Sequence, residues 1–212
     1  MTVSTEDFGK LHPVAYSVAR PQMRTGDILL FSSPGLSSGM IEHFTDSLWS
    51  HASILLVLKD CNRVFIMESI DKIGVRMMPL STRINGLAGE IPPYNGKLLQ
   101  ARHKDFPTDQ VDPVEQLTRV ALERLGCPYS PAELVKIAER IAAGLIGRTL
   151  PGQLNENGRY ICSEYVAMCF QSIGISILPD KEGFMAPGDI ARDPKVDAVS
   201  ALTPDPLGAS ES

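Results

Sequence analysis

Along the first half of the chain the apolar residues come in short blocks, and along the second half they come at helical spacing. Asp27-Ile28-Leu29-Leu30-Phe31, running into Ser32-Ser33-Pro34-Gly35, predicts a short buried strand. Gly39 to Ser47 predicts a short helix with Met40, Ile41 and Phe44 on one side. Ala52 to Leu58 and Val64 to Ser69 are apolar and partly β-branched, and the polar stretch Lys59-Asp60-Cys61-Asn62-Arg63 divides them. That is a hairpin pattern. Val75 to Leu80 and Lys97 to His103 predict two further strands, separated by a loop containing Gly86, Gly89, Pro92, Pro93 and Gly96.

The period then changes. Val114, Leu117, Val120, Ala121 and Leu125 form the apolar side of a helix over Val111 to Leu125. Ser130-Pro131-Ala132-Glu133 is a helix start, with Ser at the N-cap and Pro at the first helical position, and its helix is predicted to run to about Gly147. A third helix is predicted to begin near Cys162 and stop at Gly174, where a glycine suits the position after the last turn. Strands followed by helices imply an α+β domain built on an antiparallel sheet. Residues 1–22 read as an irregular arm, 23–199 as the domain with a helical insertion at about 131–150, and 200–212 as a disordered tail.

Composition narrows the function classes. The chain has 212 residues, 43% hydrophobic and 21% charged, as in ordinary globular proteins. A formal net charge of -5, with no Lys/Arg run interleaved with aromatics, excludes a nucleic-acid footprint. Cysteines at 61, 127, 162 and 169 make no CxxC pair and no zinc spacing, so reduced thiols and no cofactor or metal are expected. Met1 to Arg20 carries Glu6, Asp7, Lys10 and His12 and no apolar run, so no secretory signal is expected. The longest apolar stretch, Ala132 to Leu150, is broken by Glu133, Lys136, Glu139, Arg140 and Arg148, and no membrane span is expected. The expectation is a protein cytoplasmic as synthesised. If it acts outside the cell, a phage or a secretion machine would deliver it. Nothing in the sequence sets an oligomeric state.

Candidate chemistry centres on Tyr160-Ile161-Cys162-Ser163-Glu164-Tyr165-Val166, which follows the loop Asn155 to Gly158. It puts a cysteine in the first turn of a helix, where free N–H groups and the macrodipole favour a thiolate. A thiolate nucleophile needs a base. His12 lies in the arm, His43 in the short helix, and His103 beside Lys104 and Asp105 reads as a surface residue. His51 stands at the mouth of the apolar strand Ala52–Leu58. Glu68 is the lone acid of Val-Phe-Ile-Met-Glu-Ser, where an unpaired carboxylate would be costly. A two-residue turn between the strands would set Glu68 opposite His51, and a four-residue turn would set it opposite Ser53, one diagonal step away on the same face. A three-residue turn would put the two side chains on opposite faces. A structural salt bridge for Glu68 stays open beside the triad Cys162, His51 and Glu68.

These residues resemble the NlpC/P60 superfamily of papain-like cysteine hydrolases, with the pieces in rotated order. Thr25-Gly26-Asp27-Ile28-Leu29 and Trp49-Ser50-His51-Ala52-Ser53-Ile54 come early, and Ile161-Cys162-Ser163-Glu164 comes late. That order is similar to the circularly permuted branch, the YiiX-like papain-type amidases, whose triad is Cys, His and Glu. Gly126-Cys127-Pro128-Tyr129 looks like the Gly-x-Pro-Tyr element that precedes the catalytic helix in the superfamily. The usual elements after that tyrosine are replaced here by the helix predicted from Pro131. The lecithin:retinol acyltransferase-like proteins, a related permuted group, carry Asn-Cys-Glu-His-Phe where this chain has Ile-Cys-Ser-Glu-Tyr.

The resemblance implies a permuted papain-like fold with Cys162, His51 and Glu68 catalytic, and with Tyr129, Ser163 and Trp49 near substrate. It implies hydrolysis of an amide in a cell-wall peptide or a related small peptide, through a thioester. Two other readings stand beside it. One is a lipid or thioester acyl hydrolase or transferase, suggested by the apolar stripe Leu134, Ile137, Ile141, Leu145 and Ile146. The other is a non-catalytic binding module or a phage or secretion-system component.

Overall fold

The computed structural model describes residues 8–32, 47–107, 110–130, 160–177 and 185–206. In chain order these form β1 (Pro13–Ala15), α1 (Tyr16–Ala19), β2 (Ile28–Ser32), β3 (His51–Leu58), β4 (Arg63–Ile70), β5 (Gly74–Pro79), α2 (Leu80–Asn85), β6 (Lys97–His103), α3 (Val111–Glu123), α4 (Cys162–Gln171), α5 (Pro187–Arg192) and β7 (Val196–Thr203). The strands make one open seven-stranded sheet in the order β1-β7-β6-β2-β3-β4-β5. Neighbours are antiparallel except β1 and β7. The fold is thus the α+β class expected, a sheet not closed into a barrel and packed with helices.

Both faces of the sheet are covered, which is why β2 reads Ile-Leu-Leu-Phe without alternation. Ile28, Leu30, Ile54, Leu56 and Met67 pack with Tyr165, Val166 and Phe170 of α4 and Leu117 and Ala121 of α3. Leu29, Phe31, Leu55 and Ile66 pack on the other face with Leu80 and Ile84 of α2 and Tyr16 of α1. At the start of β2, Asp27 is 1% exposed and accepts from Arg102 Nε at 2.6 Å, Arg102 Nη2 at 2.8 Å and Gln100 Nε2 at 2.7 Å. This ties β2 to β6. Gly26 just before it has φ 90°, and a Cβ there would meet the Phe106 ring at 2.1 Å, so only glycine fits.

The β3–β4 turn has four residues. Lys59–Cys61 form a 3₁₀ turn, Asn62 takes φ 49°, and Leu58 pairs with Arg63. The β4–β5 turn is tighter, closing with Ile70 opposite Gly74. Gly74 has φ 86°, and a Cβ there would lie 2.2 Å from the Cys127 carbonyl. That close approach lets the segment after α3 pair with β5: Val75 N–H donates to Cys127 O and Gly126 N–H to Val75 O, both at 2.9 Å.

Two expectations are corrected. Residues 200–203 are not tail: they complete β7, which lies between β6 and β1. Its small residues hid it, because backbone pairing on both sides rather than a run of large apolar side chains makes it a strand. A register shift between Gln100 and Ala101 blurs its alternation further. The arm is not wholly irregular either. Pro13–Ala15 extend the sheet beside β7, and Tyr16 and Ala19 are buried beneath it. The helix expected over Gly39 to Ser47 lies outside the described residues up to residue 46, and the one expected over 131–147 lies wholly outside them.

Candidate active site

Two segments far apart in sequence meet at the first residue of β3. His51 is that residue, with its side chain 17% exposed. Cys162 opens α4. Ile161 is extended, and its carbonyl accepts from Tyr165 N–H at 3.0 Å, the bond that starts the helix. Glu164 Oε2 accepts from Ile161 N–H at 3.2 Å, satisfying one donor at the helix end. Three bonds fix this end on the scaffold. Ser69 Oγ donates to Tyr160 O at 2.7 Å, Ser163 Oγ to Met185 O at 2.5 Å, and Tyr165 Oη to Ala121 O at 3.0 Å.

Glu68 arrives from β4. The ladder pairs Ile54 with Met67, so one more step sets Glu68 across from Ser53, diagonal to His51. His51 Nε2–H donates to Glu68 Oε2 at 2.7 Å. The other oxygen takes Arg76, whose Nε and Nη2 donate to Oε1 at 2.9 and 2.6 Å. Glu68 is fully buried, and these partners make its charge tolerable.

With Nε2 committed to Glu68, Nδ1 is the nitrogen left for Cys162, whose side chain hydrogen-bonds that of His51. Burial alone would push the thiol up. The positive His51, its hydrogen bond and the backbone N–H groups of Ala52 and Ser163 outweigh burial and hold the thiol below its ordinary value. Burial also opposes a charged imidazole, but the Cys162 thiolate and the Glu68 carboxylate raise His51 to about 9. Burial disfavours the Glu68 charge as well; His51, Arg83 and Arg76 win and lower it to about 2. The arrangement is a buried thiolate–imidazolium pair backed by a carboxylate. Chemically it presents a sulfur nucleophile with a proton held beside it.

The other expected site residues divide. Tyr129 stands beside Cys162: its backbone bridges Tyr160, and burial together with the negative Cys162, Asp71 and Glu164 pushes its phenol up. Ser163 and Trp49 are in the core instead. The Ser163 hydroxyl is spent on Met185, and Trp49, 1% exposed, packs edge-on against Phe8 with ring centres 5.3 Å apart. His103 is buried rather than on the surface, with its Nδ1 accepting from Asp105 N–H at 3.2 Å. Cys169 is buried, and Cys61 is exposed in its turn.

Arg76 and Arg83 were not singled out from the sequence. Arg76 was recoverable: the tight turn Asp71-Lys72-Ile73 sets Glu68 and Arg76 opposite one another as unlike charges on paired strands. Arg83 was not, because the short α2, capped by Gly86, carries no helical pattern that separates it from the Gly- and Pro-rich loop after it.

Comparison with known proteins bears on the family and the fold. Residues 22–182 match the model of a family described as permuted papain-like amidase enzymes, YaeF/YiiX, the C92 family. Among solved structures, one described as metalloprotein YiiX from Escherichia coli O157:H7 matches at a TM-score of 0.61 and 19% identity, covering 86% of this chain and 99% of that one. At that identity the likeness is one of fold. Among the described residues no group of three or more His, Cys, Asp or Glu side chains is placed to hold a metal ion. No curated protein matches.

Proposed function

The chain belongs to the permuted papain-like amidases, a family of cysteine amidases and peptidases, and from that premise we propose that it cleaves its amide with a Cys162-His51-Glu68 triad. The observation that carries the proposal is the 2.7 Å bond from His51 Nε2–H to Glu68 Oε2, which leaves Nδ1 for Cys162; the raised imidazole and the lowered thiol support it. The Cys162 thiolate attacks the carbonyl carbon. The oxyanion that forms is met by N–H groups at the start of α4. Nδ1–H of His51 passes its proton to the leaving amine, the C–N bond breaks, and a thioester remains on Cys162. His51 then takes a proton from water, which attacks the thioester and releases the acid. Glu68 holds the ring orientation and keeps Nε2 protonated.

The proposed substrate is a cell-wall peptide or a related small peptide or amide. The resemblance of Gly26-Asp27, Ser50-His51 and Cys162-Ser163-Glu164 to the NlpC/P60 superfamily supports it. No helix among the described residues is long and apolar enough to cross a membrane. The experiment is digestion of a muropeptide mixture by the wild type and by Cys162→Ala and His51→Ala, read by mass spectrometry as new amine termini. Both variants are expected to be inactive. Cleavage by Cys162→Ala at the wild-type rate would overturn the assignment.

A further inference from the structure

Phe31 lies under two different groups. Its ring centre is 5.2 Å from that of His51, and the Arg83 guanidinium carbon stands 4.7 Å above it. The same carbon is 4.8 Å from the Tyr94 ring centre, and the two rings meet edge to face at 5.5 Å. Arg83 is therefore held by stacking in an aromatic corner beside the imidazole. Tyr94 is itself fixed, its hydroxyl donating to Ser32 O at 2.8 Å.

Arg83 Nε is buried and has no hydrogen-bond partner among the described residues. Among the described residues Glu68 takes its ion pairs from His51 and Arg76 and not from Arg83. A guanidinium is a planar donor matched to a carboxylate, and the unmade charged hydrogen bond at Nε costs free energy that an anion drawn to Arg83 would recover.

The charges agree. Around the triad stand three cations, His51, Arg76 and Arg83, against two anions, the Cys162 thiolate and Glu68. Among the described residues Arg83 is in no ion pair, whereas His51 and Arg76 both pair with Glu68. Asp71 and Glu164 lie by Tyr129, on the Cys162 side. The site is thus polarised, with its positive end at Arg83.

We propose that Arg83, stacked on Phe31 and Tyr94, is a carboxylate-binding subsite, so that the preferred substrate carries a free carboxylate near the amide that is cut. The inference rests on Cys162 being the nucleophile, and its test separates the two claims.

The probes are N-iodoacetyl amino acids of increasing chain length, from glycine to 6-aminohexanoate, each paired with its carboxamide. The Cys162 thiolate displaces iodide, a C–S bond replacing the C–I bond, and intact mass follows the rate. The quantity read is the carboxylate-over-carboxamide rate ratio within each protein. In the wild type it is expected to reach about tenfold at one chain length, the effect of one charge-assisted hydrogen bond. In Arg83→Gln it is expected to fall to near one at every length, and in Arg83→Lys to lie between. A ratio equal in wild type and Arg83→Gln would overturn the subsite, as would an equal slowing of both probes, which would make Arg83 a support for Glu68. If plain iodoacetamide modifies wild-type Cys162 no faster than a model thiol, the nucleophile assignment itself fails, and the subsite with it.

Discussion

His51 and Glu68 touch at 2.7 Å although they are not opposed in the ladder; the register sets Ser53 across from Glu68. The diagonal follows from the four-residue turn Lys59–Asn62, and it leaves Glu68 Oε1 free for Arg76 on the other neighbouring strand. One carboxylate thus couples three strands to the site. In the proposed mechanism Glu68→Gln keeps an acceptor for Nε2–H and loses the charge. Its kcat/KM is expected to fall by roughly thirtyfold, about 2 kcal/mol, without vanishing. Steady-state kinetics on a cleaved peptide measure this.

The pH dependence of kcat/KM should be bell-shaped. Activity rises as the pair loses its first proton, at a pH below the ordinary thiol range because Cys162 is held down. It falls as pH passes about 9, where His51 loses the proton it gives the leaving amine. In Glu68→Gln the alkaline limb should move to lower pH, since the carboxylate is one of the causes holding that proton. A limb that stays in place would show that Glu68 does not act through His51.

Arg76→Met leaves one oxygen of a buried carboxylate without its cation. The expected loss is about 2 kcal/mol, less than for a fully buried pair because the Arg76 side chain is 30% exposed. The pH dependence carries the sign. Glu68 is held at about 2 in the folded chain against an ordinary 4.5, so its stabilisation is full above 4.5 and is lost as pH falls toward 2. In the variant the loss should still begin near 4.5 but be complete at a higher pH, because the folded carboxyl is held down less. Urea unfolding at several pH values between 3 and 7 checks both the size and the shift.

Asp27→Ala removes the acceptor for Arg102 and Gln100 at the start of β2. It is expected to cost about 3 kcal/mol, toward the lower end for breaking a buried ion pair because Arg102 keeps contact with water. The thermal midpoint reads this out. Cys162 reactivity per folded molecule should not change, since Asp27 belongs to the scaffold.

The elements legible in the sequence are those whose side chains carry the pattern. β2, the β3–β4 hairpin, β5, β6, α3 and α4 each have a block or stripe of large apolar residues, and their bounds fall within a few positions of those expected. β7 and β1 were not legible because their neighbours' backbones define them: Ser200, Ala201 and the residues around them contribute little apolar area of their own. Cys162 and His51 are picked out by residue types together with the family resemblance, and the diagonal to Glu68 is one of three turn registers the sequence leaves open, chosen by the four-residue turn. The depth of Trp49 and Ser163 was not. A tryptophan beside a candidate base reads equally well as site wall or core, and only the packing of Phe8 and the acceptor at Met185 O decide.

The measurement that bears most directly on the account is an acid quench during turnover of a cleaved peptide, with the adduct mapped by mass spectrometry. The account predicts an acyl group, equal in mass to the carboxyl-side fragment less water, on the peptide that contains Cys162, and none in Cys162→Ala, which should not turn over. An acyl group on another residue, or cleavage by Cys162→Ala at the wild-type rate, would contradict it.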